Sequence, residues 1–340
     1  MRTALIAASL ATATVALVSA AAPPVLTGPL GGRQVFPATN WWNLDISKAP
    51  LDGASASYIS FVSGRDASHP TATRQAHPDF GPSPYGIPYI VVSGDQPLVR
   101  PVWTNYGDES DEGAPGRPLG YPIPDEAKTQ ANYIEGGVAG GGSSGDRHML
   151  IVDKDNWLLY ETGVTRWSAT TSRWRADCGA IFDLRRSDRR PEGWTSSDAA
   201  GLAIFPGLVR YEEVYGTAEI AHAFRVTVRS TNGYVWPASH VAGSTGGALP
   251  MGARLRMKAS KNLAGFPPEM QRVFRAMKRY GLIVADNGTD MYVSGTMDSR
   301  WNNDVLNPAF HALTADDFEV VQLGWRGHPP TAPTNVQIIR

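Results

Sequence analysis

The chain has 340 residues, of which 31 are Lys or Arg and 32 are Asp or Glu, giving a formal net charge of −1. With 42% apolar and 19% charged residues it is too hydrophobic for a disordered chain and too neutral for binding driven by the charge of a nucleic acid. A single cysteine excludes an internal disulfide framework and any cysteine-rich zinc module, and 35 Gly with 26 Pro predict many turns, hence short strands rather than long helices.

Residues 1–22 read as a secretory signal peptide. Arg2 supplies the positive start, Ala4 to Val18 is an uncharged run, and small residues at 18–22 fit a cleavage site. The run is short of the ~20 strongly apolar residues of a membrane span. The expected product is secreted, extracellular or periplasmic, with no membrane contact after cleavage. Residues 23–327 are expected to form one β-rich domain, and residues 328–340 a C-terminal tail or linker.

Residues 63–86, rich in Pro, Gly, Ser and His, read as a loop. Residues 87–92 and 98–104 are apolar enough for strands, and 105–147 is a long loop of a kind that is often functional. Residues 148–152 and 157–161 flank a short polar turn and predict a hairpin, and 179–184 a further strand. Residues 221–228 and 234–236, separated by Asn232 and Gly233, predict a second hairpin, and 254–258 alternates like a strand. After Pro267 and Pro268, the apolar positions Met270, Val273, Phe274 and Met277 predict a helix closed by Gly281. Residues 282–285 and 291–294 predict a third hairpin, and a short helix is expected to begin after Asp198. The expected fold class is mainly β, a single-domain β-sandwich or jelly roll with one or two packed helices.

No phosphate-binding loop, dinucleotide fingerprint, zinc-protease helix or nucleophile elbow is present. The strongest constellation is Glu135, Asp146 and His148, at loop-to-strand junctions around a glycine-rich stretch. Glycosidic hydrolysis commonly uses two carboxyl groups, one protonated and one ionised, and Glu135 with Asp146 would supply them. His148 would support them or act as a base, Arg147 would ion-pair Asp146 or a substrate acid, and Asp198 would assist catalysis or cap a helix. Asp183, in an apolar strand, needs Arg185 or Arg186 as partner. Cys178 reads as a buried inert thiol. The acidic run 108–112 reads as a solvated loop or as oxygen ligands for a divalent cation such as calcium, and no other cofactor is expected. His148, His222 and His240 could together hold a metal. Among ten Trp, a glycan-facing subset is expected, with Trp194 and Trp236 joining Arg147, His222 and His240 in substrate binding.

The segments GDRH (145–148), RPEGWTSSDAAGL to PGLVRY (190–211) and KRYG to DNG (278–288) resemble those of a group of uncharacterised exported bacterial proteins. The resemblance covers residues 36–323. It implies an exported single domain and lends weight to Glu135, Asp146, His148 and Asp198, but brings no activity. The expected function is that of an exported carbohydrate-active enzyme, a glycoside hydrolase acting on a polysaccharide or oligosaccharide as a monomer, without nucleic-acid partners. A polysaccharide lyase with a His or Tyr base, and a non-catalytic glycan-binding or cell-surface protein, are the alternatives.

Overall fold

The computed structural model describes residues 21–113 and 116–327. Most of the expected signal peptide and the whole of the 328–340 tail lie outside them. The fold is mainly β. In chain order the strands are β1 (Val25–Leu26), β2 (His77–Gly81), β3 (Tyr89–Val92), β4 (Val102–Trp103), β5 (Met149–Asp153), β6 (Leu158–Gly163) and β7 (Arg166–Ser168). There follow β8 (Arg173–Ala176), β9 (Cys178–Asp183), β10 (Phe224–Val228), β11 (Arg254–Met257), β12 (Leu282–Asn287), β13 (Tyr292–Met297) and β14 (Phe318–Val320). Among the described residues four α-helices accompany them: α1 (Ser55–Ser63), α2 (Tyr211–Val214), α3 (Pro268–Arg279) and α4 (Asn303–His311).

The strands form three sheets, ordered β1-β3-β5-β6-β9, β14-β11-β12-β10-β13-β2 and β4-β8-β7. The first two are mixed, since β3/β5, β10/β12 and β13/β2 are parallel pairs. Among the described residues no helix is long and apolar enough to cross a membrane.

The first sheet is buried on both faces, which is why its strands read as continuous apolar runs. Tyr89, Val91, Leu150, Val152, Leu159, Ala180 and Phe182 point to the core shared with the second sheet. The alternate residues Ile90, Val92, Met149, Ile151, Tyr160 and Ile181 pack under Tyr121, Ile123, Tyr133 and Ile134 and under Trp174 of the small sheet. The expected loop 105–147 is therefore partly a buried cover, and it delivers Glu135 to the start of β5, the central strand of the first sheet.

The 148–161 hairpin and the 268–279 helix form where expected. The other two hairpins do not. A strand has two edges, and both edges of β10 are taken, one by β12 and the other by β13. Residues 232–234 instead bridge to Ser244 and Met251. The same arrangement separates β12 from β13, so the Asp286–Gly288 turn spans across β10 instead of closing a hairpin. Of the expected 98–104 strand only Val102 and Trp103 pair as a strand. β2 forms inside the expected 63–86 loop, where Pro78 is tolerated because β2 is an edge strand.

Candidate functional site

The second sheet carries a polar stripe on one face. On β10, Arg225 and Thr227 alternate with the core residues Phe224, Val226 and Val228. Asp79 of β2 and Ser294 of β13 are register partners, so their side chains leave the same face. Arg225 lies beside them and donates from Nη1 to Ser294 Oγ at 2.8 Å. Its Nη2 donates to Asp198 Oδ1 at 2.9 Å and to Asp286 Oδ2 at 2.8 Å.

Asp198 comes from residues 194–209, which tie the two sheets together. On one side Ala200 N donates to Ala285 O at 2.9 Å and Val209 N to Ser294 O at 3.1 Å. On the other, the amides of Ile204 and Phe205 both donate to the carboxylate of Glu161, a fully buried residue of β6. The expected helix after Asp198 does not form. The Ser196 hydroxyl is taken up by the Asp198 and Leu202 carbonyls in a turn, and the Asp198 side chain goes to Arg225 instead of capping a helix.

His148 precedes β5 and points to the same side as Leu150. Its Nδ1 lies 2.7 Å from Glu135 Oε2, and its Nε2 lies 2.9 Å from the Ser197 carbonyl. Both neighbours are acceptors, so both ring nitrogens serve as donors and the ring is an imidazolium. Burial alone would lower its pKa, but the charge and hydrogen bond of Glu135 prevail and raise it to about 9. Burial opposes ionisation of Glu135 too, yet His148 and then Arg225 hold its carboxyl below the ordinary range. The remaining carboxyls shift the other way. Burial raises Asp79 against the pull of Arg225, with Glu135 and Asp146 adding like charge. Burial likewise pushes Asp198 up to about 6 and Glu161 to about 7.

The seam between the sheets thus gathers Glu135, His148 and Asp198 from the expected catalytic set, together with Asp79, Glu161, Arg225, Asp286 and Ser294. Glu135 and Asp79 are partly exposed, whereas Asp198, His148, Glu161 and Arg225 are buried. Two further buried polar atoms here, Asp198 Oδ2 and Ser197 Oγ, have no protein partner.

Asp146 stands on the exposed rim, close enough to bear on Asp79 and His148. Arg147 is buried behind it in a left-handed conformation (φ 48°), its Nε has no protein partner, and it makes no ion pair with Asp146 within 4 Å. The expected pair is therefore absent: Arg147 is buried while Asp146 is exposed. Trp194 lies partly buried beneath the Arg190 guanidinium, 5.5 Å from its ring centre, at the start of the segment that carries Asp198. His240 Nδ1 bonds the Ala199 carbonyl at 2.9 Å, on the backbone of the same segment. Trp236 packs edge-on against Trp41 at 6.2 Å.

His222 belongs elsewhere. Its Nε2 is 3.0 Å from Glu213 Oε2, and Arg210 Nη2 donates to Glu213 Oε1 at 2.6 Å. This triad lines a cavity of about 510 Å³ that also meets Leu30, Val35 and Tyr89. The three histidines therefore spend their ring nitrogens on different partners. Among the described residues no group of three or more His, Cys, Asp and Glu side chains is arranged to hold a metal ion.

The acidic run 108–112 is divided among separate partners. Glu109 accepts from Thr195 N at 2.7 Å, Asp111 from buried Arg190 and from Ile181 N, and Glu112 from Trp103 Nε1 at 2.8 Å. Asp183 pairs with Arg185 at 2.7 Å. Cys178 is buried, its Sγ donates to Ser196 O, and burial pushes the thiol up to about 11.

Two of the residues missed in the sequence share one signal. Glu161 and Arg225 are single charges inside apolar strands, and such a charge demands a partner from elsewhere in the fold. Asp79 carried no such signal, because its strand reads as a loop. Comparison with protein-family models, curated proteins and solved structures found no match to this chain.

Proposed function

We propose that the protein is an exported glycoside hydrolase in which Asp79 is the general acid and Glu135 the general base or nucleophile. One observation carries this reading. Two neighbouring, partly exposed carboxyls are driven in opposite directions, Asp79 towards the protonated form and Glu135 towards the ionised form. Such divergence is what a two-carboxyl hydrolysis needs. His148 holds Glu135 ionised and oriented, and Arg225 fixes Asp198 and Asp286 beside the pair. Asp146, the partner first expected for Glu135, takes a place on the rim where it meets substrate. The two sheets around one core support a β-sandwich description, although their parallel pairs depart from the antiparallel plan of a jelly roll.

The lyase alternative with His148 as base draws less support. Both ring nitrogens already donate, and an imidazolium cannot take a proton at neutral pH. The binder alternative is weakened by the Trp residues, several of which are core, as Trp42, Trp174 and Trp301 show.

The test is release of reducing ends from a panel of polysaccharides. Asp79→Asn and Glu135→Gln should each lower turnover by about 10³-fold or more, and Asp146→Asn by about tenfold. Full activity in both of the first two variants, or unsaturated products absorbing in the ultraviolet, would overturn the assignment.

A further inference from the structure

A second cleft lies beyond the far end of β10. Its volume is about 580 Å³, and it is lined by Phe61, Arg65, Arg74, Arg229, His69 and Asp290, among others. Arg225 and Arg229 are four residues apart on the same stretch of chain, ~13 Å at the rise of a strand, so the cleft is separate from the seam.

The charges facing this cleft are unevenly matched. Arg65 is paired with Asp316, and its Nε donates to the Ala72 carbonyl at 2.9 Å. Asp66 accepts from the amides of Ser68 and His69 and lies 3.2 Å from the His69 ring. That leaves buried Asp290 to serve two guanidiniums. Arg229 takes it through Nη2 at 2.7 Å and also through its backbone amide at 2.7 Å. Arg74 Nε stands 3.8 Å from the same carboxylate, too far for a hydrogen bond, and that nitrogen is buried without a protein acceptor. Phe61 lies on the wall with 37% of its surface exposed.

We propose that this cleft binds an acidic saccharide, a sugar bearing a carboxylate or sulfate group. The fork of Arg74, backed by Arg229, takes the oxyanion, and the Phe61 ring packs on the apolar face of the sugar. A nucleic-acid strand fits less well, because its backbone needs a track of cations and this cleft offers only two guanidiniums sharing the one buried carboxylate of Asp290. The proposal stands independently of the hydrolase reading, since it concerns binding at a different place.

Titration calorimetry of the full chain provides the test, with polygalacturonate, dextran sulfate, unsubstituted dextran, inorganic sulfate and a single-stranded oligonucleotide as probes. The two acidic polymers should bind and unsubstituted dextran should not. Arg74→Gln should weaken both acidic polymers by about tenfold. Phe61→Ala should weaken polygalacturonate by about threefold without changing the response to inorganic sulfate. Arg74→Lys, which keeps the charge but loses the fork, should fall between wild type and Arg74→Gln, and it serves if Arg74→Gln shifts the unfolding midpoint. No binding of either acidic polymer, binding unchanged in the Arg74 variants, or an oligonucleotide bound as tightly as polygalacturonate would each overturn the proposal. A response to inorganic sulfate without one to the polymers would overturn it as well. Because these readouts are binding isotherms, they are unaffected by whether Asp79 and Glu135 support hydrolysis.

Discussion

The seam between the sheets and the Arg210–Glu213–His222 triad both bury several charges, yet they treat those charges differently. In the triad, one carboxylate meets two basic groups. Burial opposes its ionisation, but Arg210 and His222 outweigh it and bring Glu213 down to about 2. In the seam, one carboxyl falls and three rise around one imidazolium and one guanidinium. The triad ties one carboxylate between two basic groups beside a cavity, whereas the seam shifts neighbouring carboxyls in opposite directions. The proposed function therefore rests on opposite shifts among neighbouring carboxyls, not on buried charge alone.

The largest expected effect on stability separates the two. Arg225→Met removes the partner of Asp198, which is wholly buried, and should cost about 3–5 kcal/mol in urea unfolding while abolishing activity. Glu213→Gln should cost less, about 1–2 kcal/mol, because the Glu213 side chain is 29% exposed, and it should leave turnover within about threefold of wild type. If Glu213→Gln abolishes the proposed activity while Arg225→Met does not, the roles of the two regions are reversed.

Changing the pH should separate them next. The His148 contribution is complete below its ordinary value of 6.5 and is lost as pH rises through about 9. Raised Asp198 and Glu161 act in the same direction, favouring the fold below their ordinary values and losing that effect as pH climbs through about 6 and 7. Glu213 works the other way, contributing above 4.5 and losing its effect as pH falls through about 2. The thermal midpoint should therefore peak in mild acid and decline towards pH 9, and His148→Gln should flatten the alkaline part of that decline. The smallest expected effect is at the periphery: Trp236→Phe, which keeps the packing on Trp41, should change turnover by less than about twofold.

Much of the first sheet was legible because its strands are buried on both faces and announce themselves as apolar runs. The second sheet was less so. β2 reads His-Pro-Asp-Phe-Gly, which local propensity assigns to a loop, and only pairing with β13 makes it a strand. With that strand went Asp79. Glu135, His148 and Asp198 could be picked out because they flank glycine-rich or turn-rich stretches. Arg225, which organises Asp198, was hidden in a strand whose neighbours drew attention to its hydrophobic period. The order β12-β10-β13 also escaped, since adjacency in sequence favours a hairpin and nothing local announces an intruding strand.

The tie made by residues 194–209 has a consequence for how this protein opens. Ile204 and Phe205 amides are locked to Glu161 on one sheet, and Ala200 and Val209 amides to carbonyls on the other. All four amides belong to buried residues and are hydrogen-bonded within the protein. Their exchange with deuterium should then track global unfolding rather than local fluctuation, placing Asp198 in the slowest-opening unit of the molecule.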